Sequence, residues 1–159
     1  MNRSGQAPVI AYLVLWMAAI VTPLYWIVFF VTGNLTPAPT DLGLRFELAF
    51  PAADLWMACA AALGAVGLRR GWRIGYPMAL AAASALLYLA LMDITFDLEN
   101  GVYLLERGQV SVEIAINVLC VSGAAVLFYV LLWREPSAGT PAKSDPFGNG
   151  IDLVQRPAK

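Results

Sequence analysis

Four long apolar runs constrain the fold of this chain more than any other feature of its sequence. They cover about residues 8–31, 48–68, 74–96 and 110–133. Each is long enough to cross about 30 Å of hydrocarbon as an α-helix, which takes roughly 20 residues at a rise of about 1.5 Å per residue. The runs therefore predict an all-α integral membrane protein, built as an antiparallel bundle of four transmembrane helices within residues 1–134.

The composition agrees with a membrane environment and argues against some partners. Hydrophobic residues make up 60% of the chain and charged residues 13%, about half the charged fraction of a typical soluble domain. The net charge of -1 and the lack of a basic stripe argue against nucleic acid as a partner. The chain has no histidine, the commonest transition-metal ligand, and it shows no cofactor-binding motif, so we expect no cofactor.

The positive charges predict how the chain is oriented in the membrane. Eight of the ten lysines and arginines lie before run one, between runs two and three, or after run four, whereas Arg45 and Arg107 lie in the other two loops. Because cytoplasmic loops are enriched in lysine and arginine, both termini are predicted to be cytoplasmic. The external loops then cover about residues 32–47 and 97–109. Residues 135–159 are rich in Pro, Gly and Ser, which predicts a disordered cytoplasmic tail.

The alanine-rich spans and arginine-rich loops lead us to expect a multi-pass protein of a bacterial inner membrane. The lipid bilayer is then its first partner. A second copy of the chain or a partner membrane subunit is a further expectation, since small multi-pass proteins commonly associate with other membrane proteins.

Four carboxylates lie inside or at the edge of three of the apolar runs, and all four are predicted to fall in the same leaflet. Asp93 and Asp97 are four residues apart on run three and therefore share a helix face. Glu113 and Asn117 have the same spacing on run four, and Asp54 lies near the start of run two. An ionisable group in hydrocarbon costs several kcal/mol and is a functional-site hypothesis by default. We therefore predict an acidic ligand-binding pocket in the outer-leaflet half of the bundle.

The residue types around this depth suggest what the pocket could bind. Trp26 on run one and Trp56 on run two are candidates for cation–π contact with an organic cation. A metal ion is an alternative that the sequence leaves open. Oxygen ligands alone would favour Ca²⁺, Mg²⁺ or Mn²⁺ over zinc.

Simpler explanations exist for some of these acids. Asp54 and Glu113 lie in or near first helical turns, where the helix dipole favours a carboxylate by about 0.3–1 kcal/mol. Asp93 and Asp97 lie near the end of a helix, where the dipole disfavours a negative charge. Those two acids therefore need another source of stabilisation.

Three arrangements would stabilise Asp93 and Asp97. Arg45 or Arg107 could form an ion pair with one of them, a bound cation could neutralise them, or two acids could share one proton. The remaining acids near the loops are predicted to be solvated: Asp41, Glu47, Glu99 and Glu106.

Three functions follow from these patterns. The first is binding or transport of a cationic or polar small molecule in the acidic pocket. The second is a structural or accessory membrane subunit that has no ligand. The third is a lipid-modifying membrane enzyme that uses paired carboxylates as general acid and base. The sequence favours the first function and gives no specific support to an enzyme.

Overall fold

A computed structural model describes residues 9–32, 41–104 and 108–133, and all regular structure within those ranges is helical. Four segments are long and apolar enough to cross a membrane, which confirms the prediction of an all-helical protein with four membrane-length helices. The predicted tail at 135–159 and Arg107 lie outside the described residues. The elements follow in the order α1 (Val9–Thr32), α2 (Asp41–Glu47), α3 (Pro51–Arg70), α4 (Gly75–Glu99), a 3-10 turn (Val102–Leu104) and α5 (Gly108–Trp133).

Helix α2 lies in a segment that the sequence predicted to be a loop. The ring of Phe46 stacks on the ring of Phe96 in α4, with centroids 3.7 Å apart and planes 7° apart. Two backbone bonds then carry the chain from α2 into α3: the N–H of Ala49 donates to the carbonyl of Phe46, and that of Phe50 donates to Glu47, both at 3.0 Å. The prediction missed α2 because a tertiary contact of a single aromatic side chain holds this charged segment against the bundle.

Helices α3 and α4 make the closest backbone approach in the described bundle. A Cβ atom placed on Gly67 would lie 2.5 Å from the Cα atom of Gly75, and one placed on Gly64 would lie 2.8 Å from the Cα atom of Ala79. Small residues allow such approach, which matters because lipid provides no hydrophobic drive for helix association. The turn between the helices uses Gly71 at φ +68°, a left-handed conformation that glycine adopts without strain.

The other helices surround this pair unevenly. Helix α1 packs on α3, and α5 packs on α4, whereas α1 and α5 contact each other much less. The buried core is rich in alanine, and large apolar side chains such as Leu13, Leu24 and Tyr129 are exposed on the outer surface of the bundle. A cavity therefore remains between α1 and α5, with α3 and α4 behind it.

Candidate functional site

A cavity of about 420 Å³ lies between α1 and α5. Most of its lining is apolar. Its polar and aromatic lining near the acids comes from all five helices: Thr22, Tyr25 and Trp26 of α1, Glu47 of α2, Asp54 of α3, Asp93 of α4, and Glu113 and Asn117 of α5.

Asp54 is held by a side chain from a different helix. The indole Nε1 of Trp26 donates a hydrogen bond to Oδ2 of Asp54 at 2.8 Å. Pro51 begins α3, where its missing N–H is harmless because the first N–H groups of a helix have no partner within the helix. Asp54, three residues later, therefore lies in the first turn of that helix. Trp26 is itself buried and packs edge-on against Tyr25 and Phe29. The Trp26–Asp54 bond therefore joins α1 to α3 at the wall of the cavity.

Three further carboxylates meet where α4 packs on α5. Oxygen atoms of Asp93, Asp97 and Glu113 all lie within 4.8 Å of one another. Asp93 and Glu113 lie close enough to form a side-chain hydrogen bond, which would need a proton on one of the two carboxyl groups. Glu113 is 6% exposed, so water has little access to it. This group of three acids, Asp93, Asp97 and Glu113, is called the acidic triad below.

Asp97 is the most deeply placed member of the acidic triad, with 2% of its surface exposed. The hydroxyl of Tyr103 is hydrogen-bonded to its carboxylate, and the side-chain amide of Asn117 donates to the same hydroxyl at 3.3 Å. The second carboxylate oxygen, Oδ2, has no hydrogen-bond partner among the described residues. A buried oxygen without a donor is costly and requires an explanation.

Tyr103 reaches Asp97 because the chain reverses directly after α4. Asn100 caps that helix, with its side-chain amide donating to the carbonyl of Phe96 at 2.8 Å. Gly101 follows at φ +65°, and the N–H of Leu104 donates back to the carbonyl of Gly101 at 3.0 Å. Burial and the neighbouring Asp97 carboxylate raise the pKa of Tyr103 to about 12. The phenol therefore stays neutral and remains a donor at physiological pH.

The structure brings most of the predicted site residues together. Trp26, Asp54, Asp93, Glu113 and Asn117 all line the cavity. Asp97 does not line the cavity, but its carboxylate lies within 4.8 Å of those of Asp93 and Glu113, which do.

Trp56 stands apart from these residues. It is 57% exposed and does not line the cavity. Two residues correspond to about 200° around a helix of 3.6 residues per turn, so Trp56 lies on the face of α3 opposite to Asp54. Its predicted contact with a ligand has no support in this geometry.

Two residues of the site were not assigned to it from the sequence. Glu47 was predicted to be solvated, but α2 places it in the cavity lining, where it is only partly exposed. Tyr103 had no predicted role. The sequence feature that could have indicated its role is its position two residues after Asn100 and Gly101, which end α4. The chain reverses there, so the Tyr103 side chain can turn back toward the helix.

An ion pair between Arg45 and the acids, one of the three arrangements that the sequence left open, is not formed among the described residues. Arg45 is exposed, and within residues 9–32, 41–104 and 108–133 it has no ion-pair partner. The acidic triad thus has no cationic side chain beside it in the described part of the chain. Comparison of the chain with protein-family models, with curated proteins and with solved structures finds no match.

Proposed function

We propose that this protein binds, and in a membrane could transport, a small cationic molecule at the acidic triad and Asp54. In this proposal the four spans run antiparallel through a bacterial inner membrane with both termini in the cytoplasm. The site then lies in the outer half of the bundle. The observation that carries the proposal is the meeting of Asp93, Asp97 and Glu113 within 4.8 Å beside a cavity, with no arginine or lysine against them in the described residues.

Electrostatics explains why such a group calls for a cation. Two like charges at the outer limit of this separation, 4.8 Å, repel by about 3 kcal/mol even at an effective dielectric constant of about 20. A proton shared between Asp93 and Glu113 would remove part of this repulsion. A bound cation would remove more of it, because it attracts every carboxylate that remains charged.

The cavity suits an organic cation. Its volume of about 420 Å³ falls in the range of about 300–1,000 Å³ typical of small-molecule sites. The rings of Tyr25 and Trp26 line it close to the acids, and aromatic faces attract ammonium groups. Asn117 adds an amide that can bind a polar substituent.

A divalent metal ion is a second candidate, and Asp97 favours it. Oxygen ligands of one Ca²⁺ ion lie about 2.4 Å from it, so two of them are at most about 4.8 Å apart, and the oxygens of the three carboxylates lie within that limit here. The unpartnered Oδ2 of Asp97 would then coordinate the metal ion. The chemistry of three carboxylates fits Ca²⁺ or Mn²⁺ better than a softer metal.

The test is thermal unfolding of the purified protein in lipid nanodiscs with added cations. We expect butyltrimethylammonium to raise the melting temperature, and its uncharged isostere, with carbon in place of the ammonium nitrogen, to have no effect. Asp93→Asn, which keeps the side-chain shape and removes the charge, should abolish the stabilisation. Glu99→Gln is the matched control, because Glu99 is an exposed acid on the same helix.

Other outcomes of this experiment have clear meanings. Stabilisation by Ca²⁺ or Mn²⁺ but not by the ammonium ion would replace the organic cation with the metal. Equal stabilisation of the wild type and Asp93→Asn would place binding elsewhere. No effect of any cation would contradict the proposal and favour a structural subunit.

A further inference from the structure

The cavity extends far beyond the acids as an apolar trough between α1 and α5. On α5 its lining runs from Glu113 to Val126, which is about 20 Å along the helix at about 1.5 Å per residue. On α1 it runs from Trp26 to Ile10, which is about 24 Å on the same basis. The acids occupy one end of this length. A small inorganic cation would fill that end and leave the rest of the trough without a role.

The trough loses its polar character away from the acids. On α5 beyond Asn117, the lining is apolar apart from Cys120 and Ser122. The hydroxyl of Ser122 donates to the carbonyl of Leu119 at 3.2 Å, so its one proton is already used within the helix. The occupant of this part therefore needs an apolar surface and no polar groups.

The trough is open along its side. Leu13 and Met17 line it from α1 and are each 59% exposed, and Leu119 lines it from α5 and is 66% exposed. Side chains that border a cavity while facing outward mark its opening. In a membrane this opening faces lipid chains, so a molecule dissolved in the bilayer can enter sideways.

We propose that the ligand is a cationic amphiphile whose charged head binds Asp93 and Glu113 and whose alkyl chain lies in the trough between α1 and α5. This rests on the proposed function, because it specifies which kind of cation the same acids bind. The negative charge of the acids favours a cationic ligand over a second copy of the chain as the occupant of the trough. The described residues of α1 and α5 contain no lysine or arginine, so the matching face of a second copy would bring no positive charge to the acids.

Cys120 offers a reporter inside the trough. It lines the cavity about 10 Å along α5 from Glu113, at about 1.5 Å per residue. An alkyl chain in the trough would cover its thiol, whereas a short cation at the acids would not. Cys59, the other cysteine, is exposed on α3 and does not line the cavity.

The experiment measures alkylation of Cys120 by N-ethylmaleimide in a Cys59→Ala background in phosphatidylcholine nanodiscs. We expect dodecyltrimethylammonium to slow alkylation about tenfold when about nine-tenths of the sites are filled. Butyltrimethylammonium and the uncharged dodecyl alcohol should leave the rate unchanged. Asp93→Asn should remove the protection, and Glu113→Gln provides the same test if that variant fails to fold.

Two controls separate binding from a general effect of the amphiphile. In a Cys120→Ala background, the alkylation rate of Cys59 should not respond to dodecyltrimethylammonium. Gly123→Leu places a side chain in the trough beside Val14. That variant should lose thermal stabilisation by the dodecyl cation and keep stabilisation by the butyl cation.

The outcomes distinguish this inference from the proposed function. If the butyl cation stabilises the protein through Asp93 but the dodecyl cation leaves Cys120 reactive, the amphiphile is wrong and the cation site stands. If Cys120 is protected equally in Asp93→Asn, the head does not bind the acids and the inference is overturned. If neither cation stabilises or protects, both proposals fail.

Discussion

The α3–α4 interface and the α1–α5 interface of this bundle are built from different residues. Between α3 and α4, glycine and alanine bring the two backbones into direct contact. Between α1 and α5, acids and larger side chains border a cavity of about 420 Å³. Close packing of small residues is a main source of helix association in lipid. The first interface therefore stabilises the bundle, which leaves the second free to keep polar groups in an open space.

The largest effect should come from closing the space in the tight interface. Gly67→Ala would put a methyl group 2.5 Å from the Cα atom of Gly75, where backbone rather than a flexible side chain must move. We expect it to lower the free energy of unfolding by about 3 kcal/mol, at the upper end of typical overpacking costs. Unfolding of the purified protein by sodium dodecyl sulfate titration would measure this.

The matched change lies in the open interface. Gly123→Ala would meet only a terminal methyl group of Val14, at 3.3 Å, and should change the free energy of unfolding by less than about 1 kcal/mol. Equal losses in the two alanine variants would mean that the two interfaces do not differ as described.

An intermediate effect should follow from breaking the bond that crosses the wall of the cavity. Trp26→Phe keeps a ring in place and removes the donor to Asp54. Asp54 is partly buried, and a carboxylate that loses its hydrogen-bond partner at such a position costs about 1–3 kcal/mol. We expect a loss of stability in that range, together with weaker stabilisation by butyltrimethylammonium, because Asp54 is no longer held toward the cavity.

Trp56→Phe is the control for this variant. The Trp56 side chain is exposed on the opposite face of α3, and surface substitutions usually change stability by no more than about 0.5 kcal/mol. A larger effect of Trp56→Phe than of Trp26→Phe on cation binding would restore the role that the sequence predicted for Trp56.

The contrast between the two interfaces also shows how far the sequence could predict this molecule. Hydrophobic length alone gave four helices, because the thickness of a bilayer fixes the length of a span. Helical spacing placed Asp93 with Asp97 and Glu113 with Asn117. These features depend on local periodicity.

Features that depend on side-chain direction and on tertiary contacts could not be predicted in the same way. Trp26 and Trp56 were predicted to share the site because they lie at the same depth in the membrane. Trp56 nevertheless lies on the opposite face of α3 from the cavity, whereas Trp26 lines it. The stacking of Phe46 on Phe96 holds α2 and brings Glu47 to the cavity. No pattern within the segment around Glu47 shows that contact, because its partner lies about 50 residues away in the sequence.

The smallest effect concerns Tyr103, which connects the two helices of the acidic triad from outside the spans. Its pKa is raised to about 12 in the folded protein, from 10.0, by burial and by the Asp97 carboxylate. A raised pKa means that folding favours the neutral phenol, so this contribution to stability is complete below pH 10 and is lost as the pH rises through about 12. Solvent screening at this half-buried position keeps the contribution small.

The melting temperature of the wild type should therefore fall more steeply between pH 10 and 12 than that of Tyr103→Phe, which has no proton to lose. Tyr129→Phe, a change at an exposed tyrosine of α5, should follow the wild type. Tyr103→Phe should also weaken stabilisation by butyltrimethylammonium slightly at neutral pH, since Asp97 loses its donor and becomes less well oriented. Identical alkaline melting curves for the wild type and Tyr103→Phe would show that the phenol does not donate to Asp97, and the acidic triad would then be held by α4 and α5 alone.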